Sequence, residues 1–135
     1  MPAELTDSVR AFLQEARFGV IGTSNPDGSV QQAALWYALE GDAIMMNTGT
    51  ASKKVRNLRR DPRAAVTVVD SGQARHVTLL GTVSFDDSHV LEDLTTLASR
   101  YAGPQAGPGI AQSIAKVPHI TLRLHIERVQ TFGKI

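Results

Sequence analysis

Three tight turns govern what this chain can fold into. Asn25-Pro26-Asp27-Gly28, Glu40-Gly41-Asp42 and Ser71-Gly72-Gln73 each separate two apolar, strand-like runs. Pro26 presets the first corner of its turn, and Gly28 supplies the left-handed exit. Connections this short leave no room for the crossover helix that a parallel pair needs, so the flanking strands must return antiparallel.

The runs themselves are Phe18 to Ser24, Val30 to Ala38, Ala43 to Thr48, Arg63 to Asp70 and Arg75 to Phe85. A sixth is the clearest, with Ile120, Leu122, Leu124 and Ile126 on one face and Thr121, Arg123 and His125 on the other. Its phase slips between Glu127 and Val129, which predicts a bulge. Ala43 to Thr48 is apolar on both faces up to Asn47, as in a barrel or a sheet roofed by a helix. In the second run Val30, Gln32, Ala34 and Trp36 share a face. Short strands joined this way favour a mainly β fold with flanking helices, a six-stranded antiparallel barrel, closed or half-closed, in one domain over residues 1–135.

Helices are expected at three places, with a short fourth. Leu5, Val9, Phe12, Leu13 and Ala16 form a helical stripe that Thr6 or Asp7 can cap, a packing helix over the sheet. A second helix runs from about Ala51 to Arg60 and stops at Asp61-Pro62, because a residue before proline leaves the α region. Asp86, Asp87 and Ser88 offer caps for a third that continues through Tyr101, with Leu91, Leu94, Leu97, Ala98 and Tyr101 as its apolar face. Ala102 to Gly109 reads as a loop, followed by a helical piece around Ile110 to Lys116.

The second helix carries the chemistry. Thr48 to Arg63 holds six of the fourteen basic residues, opening with small hydroxyl residues and a glycine. A hydroxyl-rich loop feeding a helix N-terminus, with Lys53 and Lys54 in its first turn, has the makeup of an anion site for a cofactor phosphate. A solvated basic helix is the competing reading. Nucleic acid is a third: Lys53, Lys54, Arg56, Arg59, Arg60 and Arg63 could track phosphates. Against it stand the net charge of +1 and the 5% aromatic content, with no stacking platform beside the cluster.

Other chemistry finds little support. Without cysteine, disulfides and thiolate sites are excluded. His76, His89, His119 and His125 have no metal-ligand spacing, so no metal is expected. No Walker or dinucleotide glycine motif occurs. A first segment without a basic and apolar leader, and the lack of a long apolar run, point to a cytoplasmic protein that does not enter a membrane. Trp36 and Tyr37, just ahead of the anion site, are either packing or the wall of a flat aromatic pocket.

The run Asn47-Thr48, Ser52-Lys53-Lys54-Val55-Arg56-Asn57-Leu58 and Asp61-Pro62-Arg63, with Trp36-Tyr37 before it and Gly81 after it, resembles the signature of the pyridoxamine-phosphate-oxidase-like split β-barrel flavoproteins. The resemblance covers nearly the whole chain. It implies a homodimer with cofactor sites at the interface, Asn47, Thr48, Ser52, Lys53 and Lys54 at the cofactor phosphate, and Gln32 and Trp36 beside the ring. It also implies that His76 contacts the ring or substrate, and His76 is the candidate catalytic acid. Two departures narrow the family. Gln31, Gln32 and Trp36 stand where the oxidase carries Arg and Lys, and the oxidase's C-terminal Trp and Arg segment is missing. The chain is more similar to the actinobacterial branch that uses an 8-hydroxy-5-deazaflavin coenzyme of the F-420 type, with FMN as the alternative. That implies hydride transfer to a small unsaturated organic substrate, or else a cofactor-binding module without turnover. Arg56, Arg59 and Arg60 would suit an anionic coenzyme tail, or simply solvent.

Overall fold

A computed structural model describes residues 3–135. In chain order the elements are α1 (Asp7–Gln14), β1 (Gly19–Ser24), β2 (Val30–Leu35), β3 (Ala38–Glu40), β4 (Ala43–Gly49), α2 (Lys53–Arg60), β5 (Arg63–Asp70), β6 (Arg75–Asp86), α3 (Val90–Ala102), α4 (Gly107–Ile114) and β7 (His119–Phe132). The strands make one antiparallel sheet in the order β2-β1-β5-β6-β7-β4-β3.

Seven strands stand where the sequence predicts six, because the run from Val30 to Ala38 breaks at Trp36-Tyr37. The Tyr37 amide donates to the Tyr101 hydroxyl at 3.1 Å instead of to a strand. The Tyr37 ring is fully buried, and its hydroxyl donates to the Leu13 carbonyl at 2.9 Å. Two residues therefore carry the chain from one edge strand of the sheet, β2, to the other, β3. Three Cα steps from Leu35 to Ala38 span about 11 Å at most. Edges so tethered must lie close, so the sheet is rolled into a barrel left split between β2 and β3.

The barrel interior is the main core. It gathers Ile21, Ile44, Met46, Val66, Val68, Leu79, Leu122, Leu124 and Ile126, with α1 adding Val9, Phe12 and Leu13 and α2 adding Val55 and Leu58. β4 is covered on both sides: Ile44 and Met46 face this core, whereas Met45 packs under Leu97 of α3. The predicted bulge is present. Leu80 pairs with Arg128 and Gly81 with Ile126, leaving Glu127 without an opposite residue. Gly81 is required there, since a Cβ on it would sit 1.9 Å from the His125 carbonyl oxygen.

The helices differ in detail from the expectation. Thr6 is the cap of α1, accepting from the Val9 amide at 3.2 Å. Asp86 ends β6 and turns back onto Ser88, so α3 begins only at Val90, after His89, and has no side-chain cap; Leu91 is exposed. α4 opens within the expected loop. Pro108 sits in its first turn, where a missing N–H costs nothing. Gly107 lets α4 approach α3, because a Cβ would come within 2.2 Å of Ser99 Oγ.

Candidate functional site

The hydroxyl-rich segment and α2 form the structure the sequence suggests. Ser52 is the N-cap of α2, its Oγ accepting from the Val55 amide at 3.4 Å. Thr48, buried at the end of β4, donates its hydroxyl to Ser52 Oγ at 3.4 Å. Lys53 and Lys54 follow in the first turn, and neither makes an ion pair or hydrogen bond with any described residue. The first turn has no acidic residue. Two ammonium groups at the positive end of a helix have the wrong sign for the dipole. Lys54 is also half-buried, and that desolvation pulls its pKa below the ordinary lysine value. An anion would relieve both penalties.

The rear of the helix is different, because its arginines are engaged within the chain. Arg56 donates to the Ala51 carbonyl at 2.8 Å, Arg59 lies over the Phe85 ring at 4.4 Å, Arg60 reaches the Ser24 carbonyl, and Arg63 pairs with Asp61 at 2.7 Å. Asn57, buried, ties the helix to the first hairpin by donating to Thr23 Oγ1 at 3.1 Å and Asn25 Oδ1 at 3.0 Å. The position of α2 is thus coupled to β1.

Trp36 and Asn47 come together in an open cleft of about 310 Å³ between the sheet and the α3–α4 pair. Leu94, Leu97 and Ile114 form its helical wall. Trp36 is not on the Gln32 face as alternation predicts. Having left the strand, it stacks on Tyr101 with centroids 5.1 Å apart and planes 7° from parallel. Asn47 Nδ2 donates to Thr121 Oγ1 at 3.1 Å, and Thr121 donates to Asp93 Oδ2 at 2.8 Å. Asn47 Oδ1 is buried without a partner, an omission that costs about 1–3 kcal/mol. His119 lines the same cleft and was not singled out from the sequence. Its only signal is long-range: it opens β7 directly opposite Gly49, one residue beyond Thr48.

Gln32 and His76 lie elsewhere, on the outer face of the sheet. Gln32 is exposed on β2 beside Gly22 and Ala65, next to a groove of about 420 Å³. His76 sits between Val69 and Phe132, stacked on Phe132 at 5.1 Å, with a buried, unpartnered Nδ1. Thr48 meets β7 at Ile120 and His76 meets it at Phe132, so roughly 40 Å of strand separates the two pairings. A single chain does not bring His76 to the N-terminus of α2. Among the described residues no three His, Asp or Glu side chains come together as a metal site, and no helix is long and apolar enough to cross a membrane.

Comparison with known proteins places this geometry. The chain is 26% identical over 113 residues to the pyridoxine/pyridoxamine 5'-phosphate oxidase of Kineococcus radiotolerans, covering 84% of this chain and 50% of that one. It thus spans half the length of the curated relative it matches. Its fold is similar to that of a conserved hypothetical protein from Mycobacterium tuberculosis, with TM-score 0.81 and 26% identity over 98% of this chain and 86% of the other. It is similar also to an F420 reductase, with TM-score 0.79 and 22% identity over 93% and 98%. The family described as pyridoxamine 5'-phosphate oxidase matches residues 5–133, and with its split barrel the chain belongs to that oxidoreductase-type family.

Proposed function

We propose that this protein is an oxidoreductase that binds a phosphate-bearing flavin-type cofactor at α2 and passes a hydride between it and a small unsaturated organic molecule. The observation that carries the reading is the pair of unpaired lysines at the hydroxyl-lined N-terminus of α2. Thr48, Ser52, Lys53 and Lys54 would hold the phosphate, Lys54 by a charge-assisted contact strengthened by its partial burial. Trp36 would stand beside the ring, in the cleft that adjoins the clamp, and Asn47 would face the small molecule that enters that cleft. The cofactor, when bound, supplies the hydride chemistry, and the protein orients it and excludes water.

The preferred cofactor is the 8-hydroxy-5-deazaflavin coenzyme, supported by the likeness to the F420 reductase fold; FMN is the alternative, supported by the family as a whole. The reading includes a homodimer. The outer sheet face leaves Val30, Val69 and Phe132 exposed, and a second copy over that face would bury them. It would also cover Gln32 and His76 and bring His76 towards a cofactor held by the partner.

Titration with FMN and with the deazaflavin coenzyme, side by side and followed by absorbance, tests the reading. Micromolar binding of one of them is expected. If neither binds, the cofactor assignment fails; if one binds but no acceptor in a substrate panel is turned over, a binding module is favoured instead.

A further inference from the structure

The polar groups in the α3–α4 cleft have a defined polarity. Asp93 is a buried carboxylate, held by the Arg123 guanidinium at 3.4 Å, and it accepts the single hydroxyl proton of Thr121. Thr121 Oγ1 can then only accept, so the group of Asn47 that faces it must be the amide nitrogen. The reverse orientation would set two acceptors against each other. The relay therefore fixes the Asn47 carbonyl as the free end, and that oxygen is buried with no donor among the described residues.

His119 is fixed in the same sense. Its Nδ1 lies 2.6 Å from the Val117 carbonyl, which can only accept, so Nδ1 carries a proton, and in that tautomer Nε2 is a second acceptor. Asn47 pairs with Thr121 and Gly49 with His119, so Asn47 and His119 are diagonal neighbours on one face of β4 and β7. Around them the cleft is apolar or aromatic: Leu94, Leu97, Ile114 and Trp36.

We propose that Asn47 and His119 form an accepting edge that selects flat, largely apolar substrates presenting hydrogen-bond donors, such as hydroxyl, amino or amide N–H groups, at the buried rim. Thr121 and Asp93 act as positioning residues. A carboxylate rim would meet two acceptors and be rejected; a rim without polar groups would leave both unpaired. The proposal rests on the reading of the cleft as the small-molecule side of the site described above.

The test is calorimetric titration of the full chain with 2-naphthol and 2-methoxynaphthalene, which share a flat skeleton and differ in one donor. The wild type is expected to bind 2-naphthol at least about tenfold more tightly, the loss of one such hydrogen bond. His119→Phe and Thr121→Val should each cut that ratio at least threefold while leaving 2-methoxynaphthalene within about twofold. Melting curves of both variants show that they remain folded. A wild-type ratio near one, no binding of either probe, or an unchanged ratio in both folded variants would overturn the proposal. Titration of the same preparations with FMN and deazaflavin separates the two ideas: loss of cofactor binding with the naphthol preference intact sinks the cofactor assignment alone, and the converse sinks the accepting edge alone.

Discussion

At Lys54 the protein holds an ammonium group against two penalties at once, partial burial and the positive end of α2. Its folded pKa lies below the unfolded value, so the unfolded chain holds that proton more tightly. The penalty is present in full below the folded pKa and disappears as the pH rises past the unfolded value, near 10.4. Lys54→Ala should therefore raise the melting temperature of the ligand-free protein at neutral pH. The same change should weaken cofactor affinity roughly tenfold to a hundredfold through the lost charge-assisted contact. A variant that is less stable, or that binds cofactor unchanged, would count against the placement of the phosphate. Tyr37 makes the opposite pH argument. Burial raises its pKa to about 12, so its contribution to stability is intact below about 10, the unfolded value, and is lost as the pH climbs towards 12. Tyr37→Phe should cost about 0.5–1.5 kcal/mol at neutral pH, since it removes one buried hydrogen bond while Arg100 still donates to the Leu13 carbonyl, and should flatten alkaline unfolding over that window. Denaturant titrations at pH 7, 10 and 11.5 check both statements.

Among the elements, those defined by neighbouring residues are the ones legible in the sequence. α2 is bounded by a capping serine and an Asp-Pro stop, both local signals, and the bulge shows as a phase slip within one strand. The β2–β3 break was not legible, because the partner that takes the Tyr37 amide, Tyr101, lies 64 positions away. α4 was obscured by composition: its glycine and proline residues resemble a loop, yet Gly107 serves a close helix contact and Pro108 a helix start. Thr48, Ser52 and the two lysines at the start of α2 were visible for the same local reason that α2 was. His119, Thr121 and Asp93 were not, since only strand pairing and a roofing helix gather them. At the bulge, Gly81→Ala should destabilise by about 1–3 kcal/mol or more, because the obstruction is backbone and cannot turn aside. A melting temperature equal to that of the wild type would contradict the bulge geometry.

For the whole molecule, three of the six exposed large hydrophobic side chains among the described residues, Val30, Val69 and Phe132, share one sheet face with His76. The protein is expected to sediment as a dimer, and the double substitution Val69→Lys, Phe132→Glu to shift it towards monomer with its circular dichroism preserved. If the cofactor site spans two copies, as proposed, cofactor affinity should fall in the same variant. A wild-type monomer at micromolar concentration would exclude this arrangement.

The position of β7 in the sheet order also bears on how the protein is made. It hydrogen-bonds to β6 on one side and β4 on the other, and it is the last strand in the chain. Until it emerges, β2-β1-β5-β6 and β4-β3 are two separate half-sheets with no hydrogen bonds between them. During synthesis the hydroxyl-rich loop after β4 therefore waits, unsupported, for some seventy residues of later chain, and the barrel cannot close before β7 emerges. A chain released short of His119 should remain collapsed and available to chaperones, holding α2 and its lysines but no site.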